Sequence, residues 1–312
     1  MHAIVIRGQD LVWEERPDPK PAPGELLVAV RAAGVNSADL SQRRGTYPAP
    51  PGVPDDIPGL ELAGEVAAVG AGVRRRPGDR VMALVGGGAQ ATMAIAPDAE
   101  ALPVPEGVGW AAAGGFPEVF ETAYDALFEQ AGLHVGDRLL VTGAAGGVGT
   151  AAVQLGSVAG ARVTAAVRDL STAAALRELG ADEVVAHSAV AQAGPYDVLL
   201  ELVGGESLAA AVPALSVGAR AVVIGVGAGS EFSCDLRDLM GRRARISAST
   251  LRARPSSEKA VLAARMRRSV VPLLAAGRLS VPIQETFAMS DAAGAYERFS
   301  VGGKLGKIVL LT

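Results

Sequence analysis

A chain of 312 residues is long enough for two ordinary domains with large buried cores, and 49% hydrophobic residues against 4% aromatics build those cores from Ala, Val and Leu. A net charge of −4 with no long basic or acidic run argues against a nucleic-acid partner and leaves Arg242, Arg243, Arg245, Arg252 and Arg254 as a solvated face. The one cysteine, Cys234, excludes an intrachain disulfide and any multi-cysteine metal site, and reads as a small buried filler.

The first residues, Met1 to Ile6, read as a strand and lack the basic start and apolar core of a signal peptide. No apolar run reaches membrane-spanning length, so the expectation is a soluble, cytoplasmic protein without a membrane partner. Up to about residue 110, short strands at 26–32, 62–69 and 80–84 alternate with Gly and Pro punctuation, as in a β-rich domain. From Glu118 onwards the pattern changes to alternating helix and strand. Helices are expected at 122–130, 149–159 and 171–179, and strands at 138–142, 162–167, 183–186, 197–202, 219–225 and 245–251, giving a doubly wound parallel sheet. The helical stretch 257–276 and the strand 307–311 lie beyond that sheet and are expected to return to the first domain. The implied fold is α/β, with a β-rich domain of residues 1–113 plus 254–312 and a dinucleotide-binding domain inserted at 114–253. A cleft between the two would bring substrate to cofactor.

The turn Val141-Thr-Gly-Ala-Ala-Gly-Gly-Val-Gly-Thr150 joins a buried strand to a helix almost without side chains. Ala144, Gly146 and Gly149 follow the dinucleotide fingerprint with alanine in its first place, and Gly147 and Val148 complete a run of bare backbone N–H groups on which a pyrophosphate can sit. Among 39 glycines the same spacing also describes a plain tight crossover. The following strand lies at the interval of a βαβ unit and ends in Arg168 and Asp169, where such folds contact the adenosine ribose.

Several segments agree with one family. Gly34-Val-Asn-Ser-Ala-Asp-Leu40, Arg44-Gly-Thr-Tyr47, Pro58-Gly-Leu-Glu61, Arg76-Pro-Gly-Asp-Arg-Val81, the turn at 144–149 and Gly306-Lys-Ile-Val-Leu310 together resemble the zinc-independent quinone oxidoreductases of the medium-chain dehydrogenase/reductase superfamily, in order along nearly the whole chain. Ala83 to Gln90, Phe116-Pro-Glu118 and Thr122-Ala123 look most like the subgroup of the p53-inducible quinone oxidoreductase. The resemblance implies a GroES-like catalytic domain around a Rossmann domain, a homodimer, and hydride transfer from NADPH to a quinone or α,β-unsaturated carbonyl. Of the ligands that zinc-dependent relatives use, only Glu61 is present; one carboxylate cannot close a tetrahedral site, so no metal is expected and Glu61 reads as structural.

By the same resemblance Asn36 and Tyr47 face the acceptor. They either donate hydrogen bonds to a developing enolate, or Asn36 satisfies a turn and Tyr47 shapes the pocket wall. Thr122 holds the nicotinamide end or caps a helix, and Val203, Gly204, Gly225 and Val226 supply backbone contacts to the nicotinamide ribose and carboxamide, Gly225 reading alternatively as a turn residue. Lys307, in the C-terminal motif, joins the expected cofactor contacts. Arg168 points to a 2′-phosphate and hence to NADPH, against an adjacent Asp169 and with Ser171 or Thr172 where relatives carry a lysine. His187 stands where relatives place a tyrosine near adenosine, and is assigned stacking at most. The connection from Ala186 to Tyr196 is shorter than in relatives, which abbreviates or removes one crossover helix. An enoyl reductase acting on a biosynthetic intermediate, or a nucleotide-binding protein with little catalysis, as among lens crystallins, are the competing readings.

Overall fold

The computed structural model describes residues 1–303 and 305–312. The chain divides into two compact units, Met1–Glu121 with Leu251–Thr312, and Thr122–Thr250.

The first unit begins with an antiparallel hairpin of β1 (His2–Arg7) and β2 (Asp10–Glu15). Next come β3 (Glu25–Val35), β4 (Glu61–Val69), β5 (Arg80–Leu84), β6 (Met93–Pro97) and the short β7 (Leu102–Pro103). The second unit supplies β8 (Arg138–Val141), β9 (Arg162–Val167), β10 (Glu183–Ala186), β11 (Tyr196–Glu201), β12 (Leu215–Val223) and β13 (Arg245–Ala248). The chain then returns to the first unit with β14 (Ile283–Ala288) and β15 (Lys307–Leu311).

In the first unit the main sheet runs β14-β15-β3-β4-β5-β7, with β6 also pairing β3. The C-terminal return is built through β15, which pairs antiparallel to β3 with Ile308 opposite Val35 and parallel to β14. That register brings Lys307 beside the C-terminal end of β3 and the helix that follows it, Ser37–Arg43. The core between these elements includes Leu26, Val28, Val30, Leu62, Val66, Met289 and Tyr296.

In the second unit six parallel strands run in the order β10-β9-β8-β11-β12-β13. Counted from β8 this is 3-2-1-4-5-6, the doubly wound order in which the chain reverses direction across the sheet between β8 and β11. Leu139, Leu140 and Val141 on β8 and Val198, Leu199 and Leu200 on β11 are fully enclosed, as expected of strands with helices on both faces. In open sheets of this order, ligands bind at the carboxyl ends of the strands flanking the reversal, which here are β8 and β11.

Three elements differ from expectation for local reasons. The stretch expected as one helix at 257–276 is two, Ser256–Ser269 and Val271–Ala275, because Pro272 has no N–H to continue the ladder. The helix expected at 122–130 starts at Pro117, whose fixed φ suits a first helical position, and widens into an i→i+5 turn from Asp125 to Gln130. The shortened connection before β11 keeps a single turn of helix, Val190–Ala193.

Candidate active site

At the carboxyl end of β8 the chain turns at Gly143 into the helix Gly147–Val158. Gly146 is the N-cap and brings no capping side chain, and the helix ladder begins where Thr150 N donates to Gly146 O at 2.8 Å. The N–H groups of Gly147, Val148 and Gly149 therefore lack intrahelical acceptors and point off the helix end, a donor set that fits a pyrophosphate. Gly149 is required: a Cβ there would stand 2.5 Å from Gly143 O and 2.6 Å from Ala144 Cα. Ala144, fully buried, ties the turn to β9 through its N–H to Ala166 O at 3.2 Å.

Sequence reasoning missed the group that braces the facing loop. Glu201 ends β11 fully buried, and its Oε1 accepts from Thr142 Oγ1 at 2.9 Å, Val203 N at 2.7 Å and Gly204 N at 3.0 Å, while Oε2 accepts from Ser207 Oγ at 3.0 Å. Thr142 Oγ1 accepts in turn from Leu202 N at 2.9 Å, so the carboxylate and the hydroxyl lock the loops after β8 and β11 across the switch point. The signal was available: a carboxylate closing the buried strand Tyr196–Glu201 must find buried donors, and the backbone N–H groups of Val203 and Gly204 just after it supply them. The loop after β12 is stitched to the loop after β11 by Ala228 N to Val203 O and Gly205 N to Gly229 O. Gly225 serves this approach, since a Cβ would lie 2.3 Å from Leu202 O; its φ is ordinary, which replaces the reading of a simple turn residue. Val226 follows it exposed.

On the β9 side Arg168 is exposed and makes no side-chain hydrogen bond or ion pair among the described residues. Asp169 is otherwise occupied: its Oδ1 accepts from Ser171 N at 2.8 Å, a bond that also holds its carboxyl below the usual range. His187 is half-buried at the end of β10, and its burial, with a further contribution from Arg168 against the pull of Glu201, lowers its pKa and favours the neutral ring. Thr122 is 7% exposed inside the helix Pro117–Tyr124, so the reading of a helix cap is corrected.

The first unit holds a second group of polar side chains, around Glu61 at the start of β4. Lys307 Nζ lies 2.6 Å from Glu61 Oε1, 2.5 Å from Asn36 Oδ1 and 3.1 Å from Val35 O. These three acceptors use its three ammonium hydrogens, so Lys307, expected among the cofactor contacts, is instead the buried counter-ion of Glu61. Glu61 also accepts from Asn36 Nδ2 at 3.0 Å and from Glu118 N at 3.0 Å. Asn36 also heads the helix Ser37–Arg43 at its N-cap, in a reciprocal capping box with Asp39, and its second Nδ2 hydrogen reaches Gly34 O at 3.5 Å. Asp39 closes the group from the next helical turn, its two oxygens accepting from Asn36 N at 2.8 Å and Gly59 N at 3.1 Å. Burial, opposed by these N–H groups and by Lys307, pushes Asp39 up to about 7, and burial likewise raises Glu118 to about 7.

Tyr47 is half-buried on the segment after the helix Ser37–Arg43, with the Arg252 guanidinium 5.0 Å from its ring centre. Arg252, expected on a solvated face, is 7% exposed, while Arg243 and Arg245 do face solvent. Cys234 is partly exposed rather than buried.

Against known proteins, the rat quinone oxidoreductase is 31% identical over 308 residues, covering 94% of this chain and 91% of that one. The chain belongs to the medium-chain dehydrogenase/reductase superfamily. Family models for an alcohol dehydrogenase GroES-like domain at residues 22–128 and a zinc-binding dehydrogenase at 179–310 match the same chain. A solved mycobacterial quinone oxidoreductase superposes with a TM-score of 0.82 at 27% identity, covering all of both chains. The spectinabilin polyketide synthase system protein NorB of Streptomyces orinoci is 33% identical over 306 residues, 93% of this chain and 13% of that much longer protein. This member of the superfamily is a quinone oxidoreductase-like oxidoreductase, built to bind a nicotinamide cofactor.

Proposed function

We propose that the protein is an NADPH-dependent reductase that delivers hydride to a quinone or α,β-unsaturated carbonyl without a metal, as a cytoplasmic homodimer. The observation that carries the reading is the closure of Glu61 by Lys307, Asn36 and the Glu118 N–H. An ammonium sits on the one carboxylate that a zinc site would need, and no cluster of three or more His, Cys, Asp or Glu side chains among the described residues could hold a metal ion. A conjugated acceptor suits such a site, because the oxygen that gains charge needs hydrogen-bond donors rather than a Lewis acid. The Tyr47 phenol and the second Nδ2 hydrogen of Asn36 are the donors assigned to it.

When bound, NADPH supplies the hydride. The N–H groups of Gly147, Val148 and Gly149 hold its pyrophosphate beside Ala144 and Gly146, and Arg168, unpaired beside an occupied Asp169, takes the 2′-phosphate with His187 against the adenosine. Thr122 and the loop residues Val203, Gly204, Gly225 and Val226 take the nicotinamide end. The homodimer is assigned to β13, an edge strand that follows the helix Leu236–Arg242 with its exposed Leu236 and Met240.

The likeness to a polyketide synthase protein supports a second reading, an enoyl reductase with the same hydride geometry and another acceptor. Stopped-flow oxidation of NADPH with 9,10-phenanthrenequinone, 1,4-benzoquinone, an alkenal and an enoyl thioester separates them. Turnover of the first three supports the proposal. Turnover of the thioester alone shifts the assignment to the second reading, and tight NADPH binding without turnover of any acceptor refutes both.

A further inference from the structure

We infer that Arg252 is a positioning residue for the acceptor site, acting through Tyr47; the inference rests on the assignment of Tyr47 to that site. Its guanidinium donates from Nε to Gly86 O at 2.8 Å, from Nη1 to Tyr47 O at 3.1 Å and from Nη2 to Gln42 Oε1 at 2.5 Å. Those acceptors belong to three different stretches: the end of the helix Ser37–Arg43, the irregular segment after it, and the loop after β5. Gln42 passes the tie onward, donating from Nε2 to Asp55 O at 2.9 Å. The same group that binds the Tyr47 carbonyl lies 5.0 Å from the centre of its ring, so one side chain fixes both the backbone and the face of Tyr47.

The segment cannot hold this position with a ladder of its own. Pro48, Pro50, Pro51 and Pro54 carry no N–H, and no strand or helix is formed between Arg43 and Glu61. Arg252 has no carboxylate in an ion pair among the described residues, and burial lowers its pKa. An apolar side chain would fill the same space without desolvating a charge, so what the guanidinium adds is three directed bonds in a fixed fork. Lysine could keep the charge over the ring but could not span all three acceptors.

The test combines Arg252→Ala, Arg252→Lys, Tyr47→Ala and the Arg252→Ala/Tyr47→Ala pair in the full-length protein. It reads kcat and KM for 9,10-phenanthrenequinone, the NADPH Kd by fluorescence titration, and hydrogen exchange of peptides spanning 42–56. Displacing a reacting group by about 1 Å costs up to about a hundredfold, so Arg252→Ala is expected to lower kcat/KM by roughly ten- to a hundredfold. NADPH Kd should stay within about twofold, exchange at 42–56 should quicken, and Arg252→Lys should recover part of the loss. In the Tyr47→Ala background, Arg252→Ala should cost less than about twofold more. Losses that multiply in the double variant overturn the inference, as does unchanged exchange at 42–56, which is readable even if no acceptor is reduced. A Tyr47→Ala variant with wild-type turnover refutes the placing of Tyr47 in the site, and with it the route through Tyr47, whatever Arg252→Ala does.

Discussion

Lys307→Met removes one partner from the buried Glu61 pair while keeping most of the side-chain volume. At 2.6 Å and an effective dielectric of about 20, the attraction is roughly 6 kcal/mol, most of it offset by the desolvation of two ions that are 3% and 0% exposed. Without Lys307 the Glu61 carboxylate keeps the Asn36 and Glu118 N–H donors but faces Asp39 with no nearby cation, and breaking such a pair costs about 3–5 kcal/mol. At about 2–4 °C per kcal/mol, calorimetry should show the melting temperature falling by roughly 6–20 °C. Glu61→Gln added to Lys307→Met removes the stranded charge and should restore most of that loss. Lys307 also holds down the pKa values of Asp39 and Glu118, so in its absence both carboxyls keep their protons to higher pH. The deficit should therefore be larger at about pH 8 than at about pH 5.5. A single variant that loses less than about 1 kcal/mol, or a double variant no more stable than the single, refutes the reading of Lys307 as the buried counter-ion of Glu61.

Arg168→Ala should weaken NADPH by about tenfold or more and leave NADH within about twofold, since only the phosphate offers the guanidinium a charged partner; equal losses in fluorescence titrations remove Arg168 from the phosphate site. A second expectation concerns Glu121, 2% exposed, whose Oε1 has no hydrogen-bond partner among the described residues and which feels the like charge of Glu100. Burial first, then Glu100, raises its carboxyl well above the ordinary range. The folded state then keeps a proton that the unfolded chain releases, so this contribution is full below the ordinary carboxyl range and is lost as pH rises through the folded value. Glu121→Gln mimics the protonated acid and should flatten the fall of stability with rising pH in urea titrations; an unchanged slope means that the proton is held elsewhere.

The second unit was legible because its signals are local. A buried β8, a turn of small residues and an apolar helix occupy one continuous stretch, and strands 162–167 and 183–186 fall where their apolar runs put them. Elements with weak patterns were not seen. β14 is largely exposed along its length and the helix Leu236–Arg242 buries none of its residues, while the helix Ala292–Val301 buries its face through only Ala292, Ala295 and Tyr296, two of them too small to mark an apolar stripe. The candidate site divides the same way: Gly146, Gly147 and Gly149 declare themselves through missing side chains, whereas the opposite fates of Arg252 and Arg243 are invisible in a sequence that shows only arginine.

By itself the sequence determined the alternation of elements, the glycine turn and the loss of every familiar zinc ligand but Glu61, because each is a property of neighbouring residues. Only the tertiary structure decided what the charged residues do. Lys307 reaches Asn36 and Glu61 because β15 pairs with β3, and Glu201 meets Thr142 because β11 lies beside β8. Partners so far apart in the chain are chosen by strand register, and burial then fixes whether a charge serves as a counter-ion, a brace or a free hand for a ligand.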